Sequence, residues 1–505
     1  MWPSINHTGL LDRKKSIEEI QSTIEWDFLV IGGGASGLGV ALDAVSRGYK
    51  VLLTEKVDFG KGTSSRSTKL IHGGVRYLQQ GNVSLVREAL RERSYMLSAA
   101  DHIAKIQPFI IPFYSRVTGL YYYSGLKAYD LLAGNKRIGK TTWLSKRQVI
   151  KRIGNINSKG LKGGILYYDG QFDDARLCID LVKTIDKNGG TCINYCGVKD
   201  LIKNKTGECT GAIIKDELSG EEYKISARAI INATGVFTND IIQMDDKNQR
   251  DLVKPSRGSH LVLDQEFLGG DTAVMIPKTS DGRVLFLIPW NGKVLVGTTD
   301  IATDQPEYEP KVQEEEIEFM LHNTDEYLKE SPERINIKST FSGLRPLAAP
   351  KDENAKTKEI SRGHQVLWTE SGLCSLIGGK WTTFRKMGED VVEGVIHKKG
   401  WNKADSQSEM IHIDDQSPEI DYTLPLEISL IRKIIREEMV MTLEDLIARR
   451  TRLLFLDIER TKSVLEEWSE VLMKHLNKDQ DWKKAQVQSV RNLITAVYEP
   501  NKPSK

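Results

Sequence analysis

Gly32, Gly34 and Gly37 stand in a GxGxxG arrangement between the apolar run Trp26-Asp27-Phe28-Leu29-Val30-Ile31 and a helix-compatible segment, Leu38 to Arg47. Glycines at that spacing allow a tight turn, let bare backbone approach a pyrophosphate, and pack a helix closely on a strand with the phosphates at the positive helix end. Glu55, at the end of the following strand, is placed to accept hydrogen bonds from the ribose hydroxyls of an adenosine. These residues predict a dinucleotide site and hence redox chemistry. FAD and a nicotinamide dinucleotide both fit the motif, because they share the adenosine diphosphate half. Residues 62–77, GTSSRSTKLIHGGVRY, add hydroxyls, flexible backbone and cations soon afterwards, and Thr63, Ser64, Ser65, Lys69, His72, Gly73 and Gly74 are the candidate cofactor contacts among them. Asn232-Ala233-Thr234-Gly235 ends a later strand as though returning the chain to the same pyrophosphate, which adds Thr234 and Gly235.

The elements that must hold these residues are a strand, a helix closed by Gly48, and a second strand over Tyr49 to Glu55, the size of a right-handed βαβ unit. Residues 1–24 are polar, with Ile17, Ile20 and Ile24 on one side, and read as an N-terminal arm or helix. A long helix is expected from Val83 to Ala100, and strands at Arg228 to Ala233, Val284 to Ile288 and Lys293 to Val296 suit a mixed-sheet substrate domain. After Gly388 the glycine content falls. Ile428, Ile431, Ile434 and Ile435 then share a helix face, and Thr442 with Asp445 resembles a helix N-cap. The chain therefore divides into an arm at 1–24, a cofactor domain interleaved with substrate-domain segments at 25–388, and an α-helical domain at 389–505.

A length of 505 residues calls for two or three domains, and 39% hydrophobic with 28% charged residues is the composition of a globular protein. The net charge of +2 gives no whole-molecule field toward nucleic acid. Five cysteines, Cys178, Cys192, Cys196, Cys209 and Cys374, lack paired CxxC spacing, so no metal site is expected and a reduced, cytoplasmic setting is.

Four blocks carry a resemblance more specific than any single motif: Gly62 to Leu78, Gly297-Thr298-Thr299-Asp300, Ser342-Gly343-Leu344-Arg345-Pro346-Leu347, and Gly378-Gly379-Lys380-Trp381-Thr382-Thr383-Phe384-Arg385. With them, the sequence from about Trp26 to Asp457 resembles the FAD-dependent glycerol-3-phosphate dehydrogenases, within the wider glutathione-reductase and D-amino-acid-oxidase-like flavoprotein group. The resemblance implies an α/β fold with a Rossmann-like FAD-binding domain, FAD held noncovalently, and oxidation of glycerol 3-phosphate to dihydroxyacetone phosphate. It also implies site positions at Arg76, Tyr77, His260, Arg345, Arg362 and Lys380, with Gly379 and Thr382 beside the cofactor.

Oxidising a secondary alcohol needs a base for the hydroxyl proton and a rigidly held substrate, and a phosphate dianion calls for guanidinium or ammonium groups. The assignment is that Arg76, Tyr77, Arg362 and Lys380 bind substrate, His260 is the base, and Arg345 stabilises the alkoxide and the charge of the reduced flavin. His72 is read as part of the cofactor loop, with covalent flavin attachment the other reading. Asp300 either caps a turn or joins the site.

For the electron acceptor, the family's habit points to a membrane quinone. No acidic residue lies between Asp130 and Asp169, whereas Lys136, Arg137, Lys140, Lys146, Arg147, Lys151, Arg152, Lys159 and Lys162 are basic. Leu120, Tyr121, Tyr122, Tyr123, Leu126 and Lys127 precede them, a combination suited to peripheral contact with an anionic membrane, such as the inner face of the cell membrane, or to a solvated basic face. The alternatives for the whole protein are an oxidase that uses oxygen and a flavin-binding scaffold without turnover. The amphipathic C-terminal helices could close over the substrate domain or form a homodimer, and their stripes do not discriminate.

Overall fold

The computed structural model describes residues 10–74, 82–349 and 363–500. The first helix, α1 (Arg13–Ser22), starts at Asp12, whose carboxylate accepts from the Lys14 and Lys15 amides. It is no free arm, because the Arg13 guanidinium bonds Asp216 at 2.7 Å and Ser16 Oγ donates to the Cys192 carbonyl. The strands follow in chain order as β1 (Trp26–Ile31), β2 (Val51–Thr54), β3 (Leu70–Ile71), β4 (Ala104–Phe113), β5 (Thr142–Ser145), β6 (Gly163–Phe172), β7 (Thr191–Ile193), β8 (Cys196–Lys203) and β9 (Cys209–Asp216). Then come β10 (Glu222–Asn232), β11 (Val253–Asp264), β12 (Ala273–Ile276), β13 (Leu285–Trp290), β14 (Lys293–Gly297), β15 (Ile301–Ala302), β16 (Ser339–Ala348), β17 (His364–Trp368) and β18 (Cys374–Gly378).

Two sheets organise the molecule. The first runs β17-β18-β10-β1-β2-β7, parallel except for β17, with β8 and β9 continuing antiparallel from β10. Its central strands are buried on both faces, which is why Phe28 to Ile31 and Val51 to Leu53 read as unbroken apolar runs. Helix α2 (Ala35–Ser46) covers one face with helices Asp174–Lys187 and Phe384–Lys399. The second sheet, β15-β11-β14-β13-β12-β4-β6-β3 with β16 on β11 and β5 on β6, is mixed. One of its faces packs under helix Glu314–Asp325, and the other under the C-terminal helices, including Ile428–Glu437 and Ile458–His475.

The boundary expected at 388/389 falls inside helix Phe384–Lys399, whose Val391, Val392, Val395 and Ile396 belong to the same core as α2. That helix crosses α2 at two glycines: a Cβ on Gly388 would stand 2.1 Å from the Gly39 carbonyl oxygen, and one on Gly39 would stand 2.2 Å from that of Phe384. The helical unit after it is tied to the cofactor domain by buried ion pairs, Arg450 to Asp58 at 2.6 Å, Arg452 to Asp174 at 3.0 Å and Arg176 to Glu438 at 2.6 Å. No helix among the described residues is long and apolar enough to cross a membrane.

Candidate functional site

At the C-terminal ends of β1 and β2 the chain makes a bare-backbone cradle. Gly32 holds φ at +109°, and a Cβ on Gly37 would lie 1.9 Å from the Gly32 carbonyl oxygen, so the turn and the close helix packing both require glycine. The Gly34 N-cap of helix α2 makes no side-chain hydrogen bond, and although Ser64 Oγ takes the Ala35 amide, the positive end of the helix lines the cavity through Gly34, Ala35 and Ser36, where it favours an anion. Glu55 Oε2 accepts from the Gly33 amide at 2.7 Å and Oε1 from the Val57 amide at 2.9 Å. Burial raises the pKa of Glu55, and these two amides oppose the rise. The residue expected to meet ribose thus also braces the glycine turn.

The loop after β2 closes the cradle from the side. Ser64 Oγ accepts from the Ala35 amide at 2.9 Å, Thr63 Oγ1 donates to the Leu344 carbonyl at 2.5 Å, and the Trp381 indole donates to the Ser64 carbonyl at 2.8 Å. The His72 amide donates to Thr382 Oγ1 at 3.2 Å. Three distant stretches of sequence therefore meet around one cavity of about 470 Å³. Its lining includes Glu55, Asp240 and the stacked Phe237 and Tyr308 rings, with Lys56; the glycine turn and its neighbours Gly32, Gly34, Thr63, Ser64, Thr234 and Gly235; and His72, His260, Arg345, Gly379, Lys380 and Thr382.

His260, on β11, is 2% exposed and stacks on the Phe341 ring of neighbouring β16 with centroids 4.8 Å apart. Its Nε2 pairs with Thr68 Oγ1 at 3.0 Å, while Nδ1 has no hydrogen-bond partner among the described residues. Burial, then the charges of Lys69 and Arg345, hold the imidazole pKa well below 6.5. Arg345, on β16, lies over Gly258, where a Cβ would come within 2.4 Å of Nη2. It donates to Thr298 Oγ1 and the Thr299 carbonyl, both at 3.1 Å, and pairs with Asp300 at 3.4 Å. Asp300 also accepts from Ser256 Oγ, so it joins the Arg345 surroundings. An imidazole kept neutral, a guanidinium and an ammonium on one cavity wall can bind an anion and move a proton.

Several expected contacts are placed differently. Ser65, Lys69, Gly73 and Gly74 lie off the cavity wall. Lys69 is wholly buried with φ at +62°, and its ammonium donates to the Ser65 carbonyl at 2.9 Å and to Asp174 at 2.7 Å among the rings of Trp290, Phe341 and Phe455. Burial pushes that ammonium down to about 7. Lys69 therefore supports the loop from behind instead of meeting a cofactor, and the Gly73 amide is likewise taken by the Tyr129 hydroxyl. Arg76, Tyr77 and Arg362 lie outside the described residues. Thr68, Phe237, Trp381 and Tyr308 reach the wall without having been singled out. Thr68 and Trp381 lie in the blocks that carry the family resemblance and Phe237 follows Gly235 closely, but nothing local marks Tyr308.

Comparison with known proteins gives concordant findings. Residues 27–385 match the FAD dependent oxidoreductase family, and residues 420–484 match the C-terminal domain of alpha-glycerophosphate oxidase. The chain is 36% identical to the mitochondrial glycerol-3-phosphate dehydrogenase of Bos taurus, over 95% of this chain and 75% of the relative. It is 34% identical to the probable mitochondrial glycerol-3-phosphate dehydrogenase of Dictyostelium discoideum, over 96% and 86%. Among solved structures, glycerol-3-phosphate dehydrogenase from Bacillus halodurans complexed with FAD superposes with a TM-score of 0.77 at 25% identity, covering 97% of this chain and 99% of that one. The FAD-bound L-alpha-glycerophosphate oxidase of Mycoplasma pneumoniae shares the fold, with a TM-score of 0.59 at 16% identity over 76% and 98%.

Proposed function

The chain belongs to the FAD-dependent glycerol-3-phosphate dehydrogenase family, and from that premise we propose that it oxidises sn-glycerol 3-phosphate to dihydroxyacetone phosphate and delivers the electrons to a quinone. FAD, the family's cofactor, supplies the hydride acceptor at its N5 when bound. The residues present fit it: Gly32 and Gly34 with the start of α2 would hold the pyrophosphate, Glu55 the ribose, and Thr63, Ser64, Thr234, Gly235, Gly379 and Thr382 the remainder. The observation that carries the reading is that one cavity joins this cradle to His260, Arg345 and Lys380.

Lys380 binds the substrate phosphate, with Arg76 and Tyr77 assigned to the same task and Arg362 to the substrate. His260 takes the hydroxyl proton at Nε2, the ring nitrogen that already meets Thr68 in the wall. Arg345 stabilises the alkoxide, since a guanidinium remains charged and cannot serve as base. Burial keeps His260 unprotonated and ready but weakens its basicity; the bound dianion offsets this by opposing the charges of Lys69 and Arg345.

The quinone reading is supported by the surface of helix Arg116–Ala133 and the stretch after it. Lys136, Arg137, Lys140, Lys146, Arg147, Lys151, Arg152, Lys159 and Lys162 are all exposed, and on the helix Val117, Leu120, Tyr121 and Leu131 are 79%, 62%, 58% and 81% exposed; the helix packs in one core and Val149, Ile153 and Leu161 of the basic stretch in the other. Tyr122 and Tyr123 instead turn partly inward and Leu126 is buried, so the apolar contact is made by the first set. The exposed apolar residues of the helix, with Lys136, Arg137 and Lys140 directly after it, suit peripheral attachment to an anionic bilayer. The match of residues 420–484 to an oxidase domain favours the second reading, oxygen as acceptor.

The test is anaerobic addition of sn-glycerol 3-phosphate to the purified flavoprotein. Bleaching of the flavin band, followed by rapid return of colour with a quinone analogue and slow return with oxygen, is expected. A band unmoved by glycerol 3-phosphate removes the substrate assignment, and faster return with oxygen makes the protein an oxidase.

A further inference from the structure

Between β15 and helix Glu314–Asp325 the chain forms a strap that reaches the cofactor cavity at Tyr308. It leaves the second sheet at Thr303, whose amide donates to the Pro255 carbonyl at 3.1 Å, and re-enters the core at Val312, which is 2% exposed. Asp304, Gln305 and Glu307 face solvent. Tyr308 turns the other way: it lines the cavity and stacks on the Phe237 ring with centroids 4.4 Å apart and planes 30° from parallel. This is the end of the cavity at which Glu55, Lys56, Val198, Asp240 and Met244 converge, where the strand ends of the βαβ unit direct an adenosine. Burial, then the charges of Glu55 and Asp240, raise the pKa of the Tyr308 phenol.

The next residue fastens the strap. Glu309 accepts from Arg66 Nη2 at 2.7 Å, from Lys61 Nζ at 2.5 Å and from the Tyr498 hydroxyl at 3.1 Å, and Arg66 in turn donates to Tyr498 at 2.8 Å. Lys61 and Arg66 flank the Gly62–Ser65 turn of the cavity wall and are themselves buried, at 6% and 3% exposure. A carboxylate closing two buried cations is a strong local constraint, because releasing it leaves Arg66 without a carboxylate partner out of water and Lys61 with Glu444 alone. The strap, the cofactor loop and the C-terminal segment are therefore joined at one carboxylate adjacent in sequence to the aromatic ring.

We propose that Tyr308 is an adenosine-end binding residue that retains the dinucleotide, and that Glu309 is the latch holding it over the site. With Phe237 it forms an aromatic wall beside the adenine, the kind of surface on which a base stacks. Release of the cofactor then requires the strap to lift, and the latch limits how often it does. The proposal rests on the FAD reading of the cavity and adds to it which residues keep the adenosine half in place.

The experiment measures the rise in FAD fluorescence after dilution of the purified holoprotein, for the parent and for Tyr308→Ala, Tyr308→Phe and Glu309→Gln. FMN binding to the flavin-stripped proteins is measured in parallel. Tyr308→Ala and Glu309→Gln should release FAD about tenfold faster, whereas Tyr308→Phe, which keeps the ring, should stay within about twofold of the parent. FMN has no adenosine, so all four proteins should bind it alike. FAD release at the parental rate in both Tyr308→Ala and Glu309→Gln overturns the proposal, as does an equal loss of FMN and FAD, which would mean general loosening. A parent protein that binds no FAD refutes the underlying cofactor reading instead, so the two failures are distinguishable.

Discussion

His260 sits against the Phe341 ring with Nε2 on Thr68, and burial, reinforced by the charges of Lys69 and Arg345, keeps its proton affinity well under that of a solvated imidazole. Because the folded pKa lies below 6.5, the ring is neutral from neutral pH down into mild acid. The acid limb of a kcat/KM profile should therefore lie well below the ordinary histidine value of 6.5. His260→Ala should lower turnover by about 10² to 10⁴-fold while the visible flavin spectrum persists. Turnover within a few-fold of the parent would assign the proton transfer elsewhere. Arg345 has a geometric role beside its charge, since its guanidinium is seated over Gly258 and held by Thr298, Thr299 and Asp300. A lysine there would keep the charge but lose the planar fork that meets those partners.

At the scale of elements, the crossing of α2 with helix Phe384–Lys399 determines how the cofactor cradle is backed. The two helices touch backbone to backbone, and a methyl group at Gly388 would fall 2.1 Å from the Gly39 carbonyl oxygen with no flexible side chain there to give way. Gly388→Ala should therefore separate the helices and destabilise the protein by about 1 to 3 kcal/mol, read as a lowered thermal midpoint with weakened FAD retention. A midpoint equal to the parent's would show that the crossing can relax without cost. The Thr303–Val312 strap differs in kind: its Glu309 latch is only partly buried and much of its length is exposed, so its effect belongs to cofactor exchange.

Across the whole molecule, the C-terminal helices and the cofactor domain share a buried ionic seam. Asp58 is fully buried and takes Arg449 Nε at 2.5 Å and Arg450 Nη1 at 2.6 Å; Glu444 joins through Arg449 at 2.8 Å and through Lys61. Removing the acidic partner alone leaves two buried guanidinium groups without their main counter-charge, so Asp58→Ala should cost about 3 to 5 kcal/mol in urea unfolding. A loss under about 1 kcal/mol would mean that the seam is solvated. Burial works to raise the pKa of Glu444, but Lys61 and Arg449 outweigh it and bring the group from 4.5 down to about 2. A carboxylate depressed in the folded state contributes stability that is fully present above about 4.5 and is lost as the pH falls toward about 2. Acid should thus loosen the seam in that window, and Glu444→Gln should flatten the dependence of the unfolding midpoint on pH there.

What the amino-acid order by itself determined was whatever depends on near neighbours. The glycine spacing, the apolar run of β1, Gly48 with its φ of +84° after α2, and the apolar stripe at Ile431, Ile434 and Ile435 are short-range patterns, and each is found at or within a few residues of its expected place. Chain folding decided which distant groups face one another. Lys69 read as a cofactor contact in a loop rich in hydroxyls, yet Asp174 and three aromatic rings claim its ammonium. Tyr308 carried no local sign, yet the strap brings it to Phe237 and the Glu55 end of the cavity. The helix Phe384–Lys399 was divided between domains by composition and is unified by its packing on α2. Periodicity and turn chemistry are written within a few residues, whereas burial, pairing and proton affinity arise only when segments far apart in the chain exclude water from one another.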